Sequence, residues 1–143
     1  MVPDDIESVA DLAQSTRIRQ QGWEPQYWAM APAGRSLHPL FLGHQLTNGC
    51  VGLVDEHDGI LRGAIITSDL EGIRRGAGGP VWVADDFHVA GPDDWTDIGR
   101  ALLAGLAGRA KSDGIREILV PAPNADRAMS AMLGDARLEL GSW

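Results

Sequence analysis

Residues 81 to 120, VWVADDFHVAGPDDWTDIGRALLAGLAGRAKSDGIREILV, constrain this chain more than any other stretch. Val81 to Ala90 alternates: Val81, Val83, Phe87 and Val89 share one face, and Trp82, Ala84, Asp86 and His88 share the other. This predicts a strand in which Asp85 alone breaks the pattern. From about Trp95 to Ser112, Ile98, Leu102, Leu106 and Ala110 recur at helical spacing with Leu103 beside them, and Gly114 marks the end. REILVPAP then reads as a short buried strand. Because a helix separates the two strands, the second must run parallel to the first.

The flanking segments complete the sheet. CVGLVDEHDGILRGAII reads as a hairpin, with runs Cys50 to Asp55 and Ile60 to Thr67 around a turn ending in Asp58-Gly59. In DDIESVADLAQSTRIRQQ, Ile6, Val9, Ala13 and Thr16 recur at helical spacing, with Asp4 or Asp5 to cap the start and Gly22 following the end. The next segment, GWEPQYWAMAPAGRSLHPLFLGHQLTNG, is Pro- and Gly-rich and fits a loop with one helical piece around Leu37 to Leu46. After the crossover, NADRAMSAML is a helix capped by Asn124, and ARLEL a final strand. The order predicts an α+β fold, a mixed and mostly antiparallel sheet flanked by helices with a central βαβ crossover. A length of 143 residues with 44% hydrophobic content suits one core, so residues 1–143 are expected to form a single domain.

Composition narrows the function classes. No apolar run approaches the roughly 20 residues a spanning helix requires, and the start MVPDDIESVADL has neither the basic nor the apolar block of a signal peptide. A cytoplasmic location and no membrane partner are expected. Cys50 is the one cysteine, and no Cys/His cluster has zinc-site spacing. His38 and His44 lie six apart, off the spacing of a helical metal pair, so no metal is assigned. A net charge of −8 with scattered basic residues argues against nucleic acid and makes any phosphate-rich ligand dependent on local donors.

The element order, together with VWVADDFHVAGPDDWTDIGRALLAGLAGRAKSDGIREILVPAPNADRAMSAML, resembles the GNAT superfamily of acetyl-coenzyme A-dependent N-acetyltransferases over roughly residues 5 to 140. In that family a strand end presents backbone groups to the pantetheine arm. A loop of pattern Q/R-x-x-G-x-G/A wraps the pyrophosphate, and the next helix aims its N-terminus at it. The resemblance implies acetyl-CoA as co-substrate and acyl transfer to an amine, with a small molecule or peptide as acceptor. It puts Phe87, His88 and Val89 at the pantetheine strand end and Asp94 to Ala101, including Trp95, Ile98, Gly99 and Arg100, in the pyrophosphate loop and helix start. Asn124 matches an asparagine near the thiol. Asp94 and Asp97 stand where the family has Gln or Arg and its first glycine, no tyrosine follows Tyr27, and Met129 and Met132 occupy the neighbourhood of the family's general-acid tyrosine.

Each of these positions also has a structural reading. Asp94 as N-cap and Asp97 in the first turn would fill the helix start with the chain's own carboxylates. Gly99 costs up to about 1 kcal/mol in a helix relative to alanine, so something must approach it closely, either a ligand or the sheet. Asp86 and His88 are the catalytic candidates, a carboxylate to orient or deprotonate an amine and an imidazole to share base duty. Asp86 or Asp85 could equally be a backbone-bonded edge residue, and His88 half-buried. Trp23, Trp28 and His44, with Tyr27 and His38, come from the segment that the resemblance puts on the acceptor side; they could equally cap the core or an interface. The chain ends one strand short of the family's usual ending, which would leave a sheet edge for a homodimer. The alternative reading is therefore a non-catalytic GNAT-fold module that binds a ligand or a partner.

Overall fold

The computed structural model describes residues 1–26, 29–70 and 79–136. The first helix, α1 (Ile6–Trp23), follows a 3-10 turn at Pro3–Asp5 and buries Val9, Ala10, Leu12, Ala13 and Thr16. It runs through Gly22 instead of ending before it. The expected helical piece is a full helix, α2 (Gly34–Thr47), burying His38, Leu42 and Gln45. No described helix is long and apolar enough to cross a membrane.

The hairpin forms as expected from β1 (Gly52–His57) and β2 (Ile60–Asp69). Asp58 and Gly59 both take positive φ, 52° and 75°, the backbone that an Asp-Gly turn supplies at least cost. A register shift between Asp55 and Glu56 leaves Arg62 as a bulge. Next come β3 (Val81–Val89), a 3-10 turn at Pro92–Trp95, α3 (Ile98–Ser112), β4 (Glu117–Leu119) and α4 (Arg127–Asp135). The sheet order is β1-β2-β3-β4, with the first three antiparallel and β4 parallel to β3, which is the α+β arrangement the crossover required. The final strand expected at ARLEL, residues 136–140, lies outside the described residues except for Ala136.

Two cores sandwich the sheet. On one face Ile65, Phe87 and Val89 pack with Trp95, Leu102, Leu106, Met129 and Met132. On the other, Ala64 and Ile66 pack with Val9, Ala10, Leu12 and Leu42 of the first two helices. Burial on both faces explains why β2 carries the continuous run Gly63 to Ile66.

The strict alternation expected along β3 does not hold. Ile66 pairs with Asp86 but Thr67 pairs with Ala84, so Asp85 is an inserted bulge residue. The bulge inverts the faces behind it: Trp82 and Ala84 join Phe87 and Val89 on the α3 side. The local break at Asp85 was legible in the sequence; its inverting effect depends on pairing with β2.

Candidate active site

The bulge leaves Asp86 and His88 facing the first two helices. Both are buried, Asp86 at 3% exposure. His38 reaches them from the buried stripe His38, Leu42, Gln45 of α2. One Asp86 oxygen accepts from His38 Nε2 at 2.8 Å and the other from His88 Nε2 at 2.7 Å. Since a buried carboxylate only accepts, both imidazoles present Nε2–H to it. Burial by itself would raise the Asp86 carboxyl, but the bonds donated by His38 and His88 outweigh it and hold the group well below the usual carboxylate range. Arg17, on the α1 stripe of Ala10 and Ala13, donates to His38 Nδ1 at 3.3 Å and to Asp86 Oδ1 at 3.4 Å. The His88 Nδ1 is buried without a partner among the described residues.

This cluster lies behind a cavity of about 620 Å³ between α1, α2 and the segment joining them. Arg17, His38, Met30, Leu37 and Phe41 are among its walls, whereas Asp86 and His88 are not. His38 is therefore the titratable group of the cluster that an occupant meets, and Asp86 orients it from behind. The residue pair that sequence reasoning put forward, Asp86 and His88, is brought together, but the surface it presents comes from His38 and Arg17. The sequence carried a signal for Arg17, a cation in register with Ala10 and Ala13 of α1, whereas His38 shares its buried stripe with Gln45 as well as Leu42. It could not show that the two stripes converge.

The loop before α3 resolves the question its aspartates raise. Asp94 does not cap α3: one oxygen accepts from the Gly91 N–H at 2.9 Å and the other from Arg62 Nη2 at 2.9 Å. It closes the preceding 3-10 turn and ties it to β2. The N-cap of α3 is Asp97, whose side chain makes no bond to the helix amides. Gly99 is explained by neither ligand nor sheet, because a Cβ there would sit 2.6 Å from Cε3 of Trp95. Trp95 is 1% exposed, meets Phe87 edge-on at 4.9 Å, and donates its indole N–H to Asp126. Ile98 packs against the same core, while Arg100 and Ala101 face outward, Arg100 toward Asp135 at 3.1 Å.

Asn124 is not the cap of α4. That position belongs to Asp126, which accepts from the Met129 N–H at 2.9 Å while its second oxygen takes the Trp95 indole at 3.2 Å. Asn124 is exposed in the connecting loop. Trp23 stands exposed at the end of α1, and His44 is exposed on α2 beside Asn48, neither of them at the cavity. Trp28 lies outside the described residues. Asp85 turns to Ser68 and Gln45.

β3 and β4 part company within the sheet. Their pairing runs from Val81↔Glu117 to Val83↔Leu119, while β3 continues to Val89. The Ala90 N–H bonds to Arg62 O, so by antiparallel alternation Phe87 and Val89 turn their backbone groups the other way, toward the edge that β4 leaves open among the described residues. Val89 O accepts from Arg19 Nη2 at 2.9 Å.

No family model matches the chain, and no curated protein matches it. Solved structures do. A ribosomal-protein-alanine N-acetyltransferase from Brucella melitensis biovar Abortus 2308 aligns over 100% of this chain and 91% of its own, at 18% identity and a TM-score of 0.67. A predicted acetyltransferase from Clostridium acetobutylicum, solved with acetyl-CoA, aligns over 99% and 88% at 17% identity and a TM-score of 0.72. An aminoglycoside N-acetyltransferase in complex with CoA aligns over 100% and 87% at 14% identity and a TM-score of 0.74. At these identities the likeness is one of fold.

Proposed function

The chain has the fold of the GNAT superfamily, and from that premise we propose that it is an acetyl-CoA-dependent N-acetyltransferase. The observation that carries this reading is the start of α3: Asp94 is drawn off to Gly91 and Arg62, and Asp97 makes no bond to the helix amides. Free N–H groups at a helix N-terminus suit a diphosphate. Pantetheine would then follow the open edge of β3 at Phe87. An amine held in the cavity attacks the thioester carbonyl; the C–N bond forms, the C–S bond breaks, and the sulfur leaves as a thiolate. The ammonium proton passes to His38 Nδ1 as Arg17 moves off that nitrogen, with Asp86 fixing the imidazole through its Nε2–H and His88 fixing Asp86. Positioning supplies most of the rate, since both reactants are held in line.

Titration calorimetry with CoA tests the reading. Ala101→Glu puts a carboxylate on the outward side of the first turn, where it is tolerated by the helix dipole but repels a diphosphate. An affinity loss of about tenfold with an unchanged melting temperature is expected. Absence of CoA binding at millimolar concentration would overturn the proposal. A second reading, a non-catalytic binding module of the same fold, is favoured by Arg17 occupying His38 Nδ1. It expects CoA binding without acetyl transfer to any member of an amine panel.

A further inference from the structure

We infer that the cavity between α1 and α2 takes an amphipathic molecule bearing a carboxylate, which pairs with Arg17 while its apolar part lies against Met30, Leu37 and Phe41. As the acceptor class for acyl transfer, this rests on the function proposed above; as a binding site, it does not.

In a chain of net charge −8 the described walls of this cavity include two guanidinium groups, Arg17 and Arg35, and no Asp or Glu. The two cations differ in how well they are satisfied. Arg35 donates to Asp11 at 2.6 Å and to Glu7 at 3.0 Å, so its charge is met. Arg17 is one-third exposed, and its contacts are a neutral imidazole nitrogen at 3.3 Å and Asp86 at 3.4 Å. Charge-assisted bonds settle at about 2.7–2.9 Å, so both contacts are long, and the planar fork of Arg17 has bidentate capacity to offer a carboxylate arriving from the cavity. The short bonds to Asp86 come from His38 and His88, and Arg17 shares Oδ1 with His88 at the longer distance.

The remaining wall sets the rest of the ligand. Leu37 and Phe41 are 58% and 47% exposed, one helical turn apart on α2, and Met30 joins them from the connecting segment. An apolar group placed there removes this surface from water while the acid end reaches Arg17. A polycationic occupant finds no carboxylate on these walls and two like charges.

The test is calorimetry on the full chain with matched probes: 3-phenylpropionate against its primary amide, and phenylalanine against phenylalaninamide. Each acid is expected to bind about tenfold tighter than its amide, the preference of a charge-assisted pair over a neutral one. Arg17→Gln removes the preference, Arg17→Lys retains part of it, and Arg35→Gln leaves it in place. Equal binding of acid and amide, no binding by either, or a preference that survives Arg17→Gln and disappears with Arg35→Gln overturns the inference. A parallel CoA titration on the unsubstituted chain separates the two readings. An acid preference without CoA binding leaves this site standing and removes the transferase, whereas CoA binding without acid preference does the reverse.

Discussion

Asp86 is a buried carboxylate whose two oxygens each take an imidazole N–H, and its stability contribution has a definite pH window. Its carboxyl is held below the unfolded value, so the stabilisation is fully present above roughly pH 4 and is lost as pH falls further through the folded value. Asp86→Asn keeps the shape and removes the charge, with an expected loss of roughly 2–4 kcal/mol at neutral pH. Urea unfolding from pH 7 down to pH 3 checks this: the difference between the two proteins narrows at the acid end, and a constant difference would contradict the assignment. Gly99 gives a prediction of opposite origin. Alanine favours helix by up to about 1 kcal/mol, but a Cβ 2.6 Å from a buried indole forces repacking that costs about 1–3 kcal/mol. Gly99→Ala should therefore lower the melting temperature, and the loss should shrink when Trp95→Leu is added. The aspartate and the glycine were each conspicuous in their element, but the partners were not: His38 comes from α2, 48 residues away, and the Trp95 ring, only one turn before Gly99, folds back over it.

At the scale of elements, Asp126 joins α4 to the loop ahead of α3. One oxygen caps α4 and the other holds the Trp95 indole, so a single residue fixes the relation between the two helices on that face. Asp126→Ala loses a cap and a buried hydrogen bond, together about 2–4 kcal/mol. Amide exchange should show faster exchange in both α4 and the Pro92–Trp95 turn, while β2 keeps its protection. Faster exchange confined to α4 would mean that the indole bond contributes nothing. The α4 start was misplaced at Asn124 because Asn, like Asp, is a good cap. Only the packed indole selects the residue two positions later.

At the scale of the molecule, β2 feeds both cores, with Ala64 and Ile66 on one face and Ile65 on the other beside Phe87 of β3. Leu42 and Leu106 are both fully buried and lie on opposite sides of the sheet. Leu42→Ala and Leu106→Ala should each cost roughly 2–5 kcal/mol and shift one common cooperative transition, because neither core can be lost while the shared strand persists. Calorimetry resolving two transitions in either variant would show that the faces unfold independently.

The sequence by itself determined the parts whose information is local. A helix between two apolar strands made a parallel pair obligatory, Asp58-Gly59 fixed the hairpin, and periodicity placed α1 and α3 to within a turn. Those outcomes follow from backbone geometry and from spacing along a single element. Only the tertiary structure decided that the bulge at Asp85 turns Trp82 to the α3 side, that Asp94 spends its carboxylate on Gly91 and Arg62, and that His38 and Arg17 stand between Asp86 and the cavity. Each depends on which partner a polar group finds once elements far apart in sequence are brought together, and that choice is made by desolvation and geometry at the meeting point.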